Sequence, residues 1–238
     1  MILAMLLAHL VGDYVLQWDR LAYWKSRALS GVLVHAAIVT AVTALFALPF
    51  DPGFWPWVVF IGGLHCAVDA LPLWLLRAFQ LKRAGLFELT RFLIDQAAHL
   101  VIIGLALTLS GYLRWETLAA DVTAALAGDR TLALLLGYTF AAMPAWILVE
   151  FLVYGLLNGS APDFATAKQY KYVGTLERWL ITTCVLVGQF ALVPLVALPR
   201  LLVETPQVAQ TSRALVYVAE LLASVTLAVG VGLALRLL

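Results

Sequence analysis

Phe54-Trp-Pro-Trp-Val-Val-Phe-Ile-Gly-Gly-Leu-His65-Cys-Ala-Val-Asp69-Ala-Leu-Pro-Leu-Trp-Leu-Leu76 is a run of 23 residues in which only His65 and Asp69 can carry a charge. As an α-helix, at 1.5 Å per residue, it reaches about 34 Å, enough to cross the hydrocarbon of a bilayer. A histidine and a carboxylate four residues apart point the same way from such a helix. An ionisable pair at that depth is costly unless it is partnered, so the run raises two questions: whether the whole chain is built of such helices, and what the pair meets.

Composition answers the first. The chain is 63% hydrophobic and 12% charged with a mean hydropathy of +0.96, against roughly half apolar and a quarter charged in soluble domains. The expected fold is therefore an all-α, polytopic transmembrane helix bundle. A formal net charge of +1 and the absence of a basic run leave no basis for nucleic acid as a partner. Cys66 and Cys184 lie in apolar runs and read as buried small hydrophobes. Seven spans are expected: 1–17, 30–49, 54–76, 88–110, 131–157 (kinked at Pro144), 175–198 and 213–238. Asp51-Pro52-Gly53 reads as a tight turn, and 111–130 as a surface amphipathic helix. The N-terminus, without a basic leader, reads as a retained first span. Residues 1–238 form a single transmembrane domain, with a four-helix half over 1–110 and a three-helix half over 131–238.

Of the 15 Lys and Arg residues, only Arg114, Arg130, Arg200 and Arg213 flank one set of helix ends. Lys82, Arg83 and Lys168 are among those on the opposite side. This excess places the N-terminus outside and the C-terminus in the cytoplasm.

The second question turns on every histidine in the protein. His9-Leu-Val-Gly-Asp13 and His65-Cys-Ala-Val-Asp69 run histidine first, while Asp95-Gln-Ala-Ala-His99 runs aspartate first and His35 stands alone. The first and third spans run inward and the fourth outward, so the inversion gives all three pairs the same polarity. Each histidine sits near mid-membrane and each aspartate about 6 Å nearer the cytoplasm. His35 falls in the aspartate layer. One such pair reads as a packing feature; three pairs and a fourth histidine at one depth read as a divalent-metal site. The candidate ligands are His9, Asp13, His35, His65, Asp69, Asp95 and His99.

Imidazole with carboxylate and no cysteine cluster suits zinc first, with Mn²⁺ or Fe²⁺ as alternatives. Seven donors exceed the needs of one tetrahedral ion. Either some orient the others, or two ions sit together. Haem fits poorly, because the i+4 aspartates would have no purpose. Glu150, at similar depth in the fifth span, is a further candidate for a ligand or general base. The aromatic and basic segment from Trp18 to Arg27 reads as an interfacial anchor, or as a gate or headgroup clamp over the site. Glu177 and Arg178 are placed either to pair or to bind an anionic headgroup.

At His9-Leu-Val-Gly-Asp13-Tyr14-Val-Leu-Gln17-Trp-Asp19, then Lys25-Ser26-Arg27 and the His35 segment, the sequence resembles the bacterial membrane proteins grouped as the DUF3307 family. His65 to Asp69, Phe92-Leu-Ile-Asp95-Gln96-Ala-Ala-His99 and Gly174-Thr-Leu-Glu177-Arg178-Trp-Leu-Ile are similar to that family in order and spacing. The resemblance implies a multi-pass protein of the bacterial inner membrane and supplies no activity. In style the paired residues also look like inner-membrane metal-dependent hydrolases, a likeness at the level of analogy.

Three functions compete. The first is an intramembrane metalloenzyme hydrolysing an ester or phosphoester of a membrane lipid or lipid-linked molecule, with Asp13, Asp69, Asp95 or Glu150 accepting the proton. The second is a transition-metal or metal/proton transporter, disfavoured because the outer halves of the first four spans are nearly all aliphatic. The third is a scaffold or sensor tied together by its metal. Oligomeric state is not written in the sequence.

Overall fold

The computed structural model describes residues 1–79, 85–162, 164, 171–208 and 214–238. Lys82, Arg83, Lys168 and Arg213, which enter the orientation argument, lie outside the described residues, as does most of the loop 163–170. Every regular element among the described residues is helical. In order they are α1 (Ile2–Leu10), α2 (Asp19–Lys25), α3 (Leu29–Ala47), α4 (Trp55–Phe79), α5 (Gly85–Leu109), α6 (Leu118–Gly128), α7 (Arg130–Ala141), α8 (Met143–Val153), α9 (Lys171–Leu186), α10 (Val193–Val208) and α11 (Ala214–Arg236).

Among the described residues four helices are long and apolar enough to cross a membrane: Leu29–Ala47, Pro52–Leu75, Gly85–Leu109 and Ala214–Arg236. The bent pair Arg130–Ala141 and Met143–Leu157, with 40° between its halves, makes a fifth if counted as one broken span. Two of the seven expected spans are shorter. The first is the apolar helix Ile2–Val15, about 21 Å long where the hydrocarbon is about 30 Å thick. The sixth stops at Leu186, because Gly188 adopts φ +82° and the chain restarts as a short 3₁₀ turn at Phe190–Leu192. A left-handed glycine of this kind ends a helix by supplying a conformation other residues avoid.

The chain divides into two compact units, Met1–Lys82 with Phe92–Leu136, and Arg83–Arg91 with Gly137–Leu238. In the first, Met5, Ala8, Val42, Phe54, Ile61, Ile103 and Ala106 form a continuous apolar core. Val122 and Ala125 of α6 pack against it, so α6 is seated on the bundle as an amphipathic helix should be. The turn at Asp51 forms as its sequence indicates, the Asp51 carboxylate accepting from the Gly53 N–H at 2.8 Å.

In the second unit the break between α7 and α8 lies at Ala142, whose φ/ψ of −73°/−108° is not helical, and Pro144 follows without an N–H to offer. The carbonyls left over are taken by one buried side chain. Arg178 Nε donates to Ala141 O at 2.6 Å and Nη2 to Ala142 O at 2.7 Å, with Thr175 and Ser224 completing its donors. Arg178 is thus committed to the backbone and not to an anionic headgroup, while Glu177 pairs with Arg200 at 3.3 Å. A guanidinium can be buried here because its donors meet acceptors that a broken helix would otherwise leave unsatisfied.

Candidate metal centre

The centre is built from the first unit by close helix contacts. α3 and α4 approach at Gly62, where a Cβ would collide with Thr40 Oγ1 and lie 3.0 Å from Thr40 Cβ. That approach lets His35 and His65 meet, one from each helix. A Cβ at Gly12 would lie 3.1 Å from Val39, so the turn that follows α1 also packs closely on α3. Gly62→Ala is expected to lower stability by about 1–3 kcal/mol through overpacking. The double variant Gly62→Ala/Thr40→Ala should recover most of that loss, as thermal melts of both will show.

Asp13 is not in an α-helical turn. After Leu10 the chain widens into a single π-helical turn, Val11–Val15, closed by Leu16 N–H to Val11 O at 2.8 Å. Such turns are rare and concentrate at functional sites. His9 and Asp13 nevertheless meet, Nδ1 to Oδ2 at 3.3 Å.

Around Asp13 the cluster closes. His35 Nε2 lies 3.3 Å from Asp13 Oδ1 and 3.5 Å from Asp69 Oδ2. His65 Nε2 lies 3.4 Å and 3.2 Å from the same two oxygens, and 3.2 Å from His35 Nε2. His99 Nδ1 faces Asp95 Oδ2 at 3.7 Å, and its ring stands 4.2 Å from that of His65. Asp95 is anchored further by Gln96, which donates to it at 3.0 Å and accepts from Tyr14 at 2.6 Å. All four histidines, Asp13 and Asp69 are no more than 6% exposed. Asp95 is the outermost carboxylate, its side chain 22% exposed.

These distances fit an ion. Three donor atoms 3.2–3.5 Å apart lie on a circle of radius about 1.9 Å, so all three would be within the usual reach, about 2.0–2.1 Å, of one cation. Asp13, His35 and His65 make one such triad; Asp69 makes another with the same two imidazoles. Asp13 Oδ1 and both nitrogens of His99 have no hydrogen-bond partner among the described residues, an arrangement expensive in a dry interior unless something further binds there.

One participant has no counterpart among the candidate ligands read from the sequence. Lys25, the last residue of α2, reaches in and places Nζ 3.0 Å from Asp69 Oδ2. α2 lies close enough to α3 for this because residue 31 is glycine: a Cβ there would lie 2.6 Å from the backbone of Trp24 and Lys25. The signal for it is electrostatic. Three intramembrane carboxylates call for a cation, and Lys25 is a long snorkelling side chain beside the first two spans. Glu150 belongs to the second unit, where Trp146 Nε1 donates to its Oε1 at 3.2 Å.

The cluster coincides with a family signature. The family described as a protein of unknown function, DUF3307, matches residues 1–124, a stretch that holds all seven His and Asp candidates. The chain belongs to the DUF3307 family. No curated protein and no solved structure matches it. The DUF3307 segment thus carries α1 to α5 and the first part of α6 with the whole cluster, while Gly174 to Ile181 lies beyond the matched residues. What can be said of this DUF3307 member without further argument is that it combines membrane-length helices with a buried His/Asp group able to hold a metal ion.

Proposed function

We propose that the protein is an intramembrane metalloprotein in which His35, His65, Asp13 and Asp69 hold a divalent ion, zinc first by donor type, and that it hydrolyses an ester or phosphoester of a lipid or lipid-linked molecule. The observation that carries the metal reading is the set of five distances, all 3.2–3.5 Å, among four side chains drawn from α1's π turn, α3 and α4. When bound, such an ion lowers the pKa of water and polarises a scissile oxygen.

The chain's own residues supply the remainder. Lys25 brings a cation to the edge of the centre from α2, whose Tyr23 and Trp24 are exposed as in an interfacial helix. A phosphoester entering past α2 would meet that ammonium first. Asp13 and Asp69 face imidazoles, so Asp95, outermost and hydrogen-bonded by Gln96, is the carboxylate suited to accept a proton and return it to water. With seven spans and the N-terminus outside, the centre would lie toward the inner leaflet of a bacterial cytoplasmic membrane.

Hydrolysis is preferred to transport for a specific reason. Beyond His9, His65 and His99 the cavity is lined by Met5, Val39, Ile61, Ile102 and Ile103, with Thr43 alone adding a hydroxyl. Thr43 already donates to Val39 O. A metal or proton path across would need more relay groups than these.

The test is hydrolysis in vesicles of a phospholipid and of a lipid-linked phosphoester, with and without chelator. Release of the headgroup or phosphate should require metal, and Asp95→Asn should lower kcat by about 10²–10⁴-fold. Metal uptake into the vesicles without hydrolysis would instead support the transporter.

A further inference from the structure

Resting on that reading, we infer that the centre is built for two divalent ions, with the Asp13 carboxylate shared between them and His9 and His99 as the imidazoles of the second. The two oxygens of Asp13 face different histidines: Oδ1 is 3.3 and 3.4 Å from His35 and His65, while Oδ2 is 3.3 Å from His9 Nδ1. A carboxylate presented in this way, one oxygen to each side, is the bridging group of two-metal sites.

The spacing of the rings sorts the four imidazoles into pairs. Two imidazoles on one ion at about 2.0–2.1 Å hold their ring centroids roughly 4.5–5.7 Å apart, for angles between about 90° and 125°. His35 and His65 are 5.2 Å apart, and His9 and His99 are 5.6 Å apart. His65 and His99, at 4.2 Å and tilted by 38°, lie against one another below that range, while one donor atom of each also lies within 4.8 Å of the other and of Asp69. By ring spacing His35 pairs with His65 and His9 with His99.

His99 adds an independent observation. It is 2% exposed, with neither ring nitrogen hydrogen-bonded among the described residues. One of those nitrogens lies within 4.8 Å of donor atoms of His65 and Asp69. A fully buried imidazole with both nitrogens idle is costly, and the open space beside it is walled by His9, His65 and His99. A second cation coordinated by His9, His99 and Asp13, with Asp69 in reach, removes that cost. Asp95 Oδ2 stands behind the ring, 3.7 Å from His99 Nδ1, where a small shift on metal binding would let it orient the imidazole, as carboxylates do for metal-bound histidines.

The test is metal counting on protein purified in detergent, loaded with Zn²⁺ and separately with Mn²⁺. The wild type should hold two equivalents per chain, and the Mn²⁺ form should give the electron paramagnetic resonance spectrum of a coupled pair. His99→Gln and His9→Gln should each retain one equivalent and give an uncoupled Mn²⁺ spectrum. One equivalent in the wild type, unchanged in both variants, would overturn the second site and leave the single-ion reading standing. No bound metal in the wild type would overturn both. Loss of both ions in both variants, at wild-type helicity and monodispersity, would overturn the division into two sites.

Discussion

His65→Ala and Asp69→Ala are each expected to strip the purified protein of most of its divalent metal, while the wild type retains it stoichiometrically. Each side chain contributes to two or more of the short distances at the centre. Removing a group that merely orients a ligand costs about 10–100-fold in affinity, so removing a ligand should cost more than about 100-fold. Stability should follow occupancy. An ion present at a hundred times its dissociation constant stabilises the fold by about 2.7 kcal/mol, so chelation should lower the wild-type Tm and leave the variants nearly unmoved. Elemental analysis with paired melts checks both, and equal metal content in all three proteins would count decisively against a metal centre.

Lys25→Met should have effects of opposite sign with and without metal. In the metal-free protein its ammonium neutralises Asp69, whose side chain is only 2% exposed. Leaving a buried carboxylate without its cation costs about 3–5 kcal/mol when both partners are buried. Lys25 is 21% exposed, which screens part of that, so a loss of about 2–3 kcal/mol is expected. In the loaded protein the ion supplies the neutralising charge, and the ammonium beside it is repulsive. The same variant should therefore bind metal about tenfold more tightly. Isothermal titration with chelator competition measures the affinity, and melts of both forms close the cycle. Weaker metal binding by Lys25→Met would mean that the lysine supports the ion and does not compete with it.

Much of the first unit could be read from residue order. The i, i+4 spacing gave the His/Asp pairs their common face, and the reversed order in Asp95 to His99 reflects a helix whose residues reach the same cluster from the other chain direction. The bend at Pro144 and the turn at Asp51 follow from proline geometry and from an aspartate capping its own turn. What escaped depends on longer-range fit. The π turn at Asp13 has no residue signature, since Val11-Gly-Asp-Tyr-Val15 would form an α-helix equally well. Lys25 is placed by the absence of a side chain at Gly31, a fact that has meaning only once α2 and α3 are known to touch. Arg178 invited an electrostatic reading because an arginine in an apolar run suggests an anion; its partners are carbonyls freed by a helix break some 36 residues earlier.

The wide turn at Val11–Val15 has a genetic consequence. It accommodates one residue beyond what an ordinary helical turn would hold, and the loss of a single codon there would let the ladder close in the common way. The segments on either side would keep their facing, whereas the same loss between His65 and Asp69 of α4, an unbroken helix, would swing one side by about 100° around the axis relative to the other. In α4 every imidazole and carboxylate could survive such a loss intact and yet no longer face its counterparts, so the wide turn marks the one place in the cluster's helices where the ladder itself tolerates a missing residue.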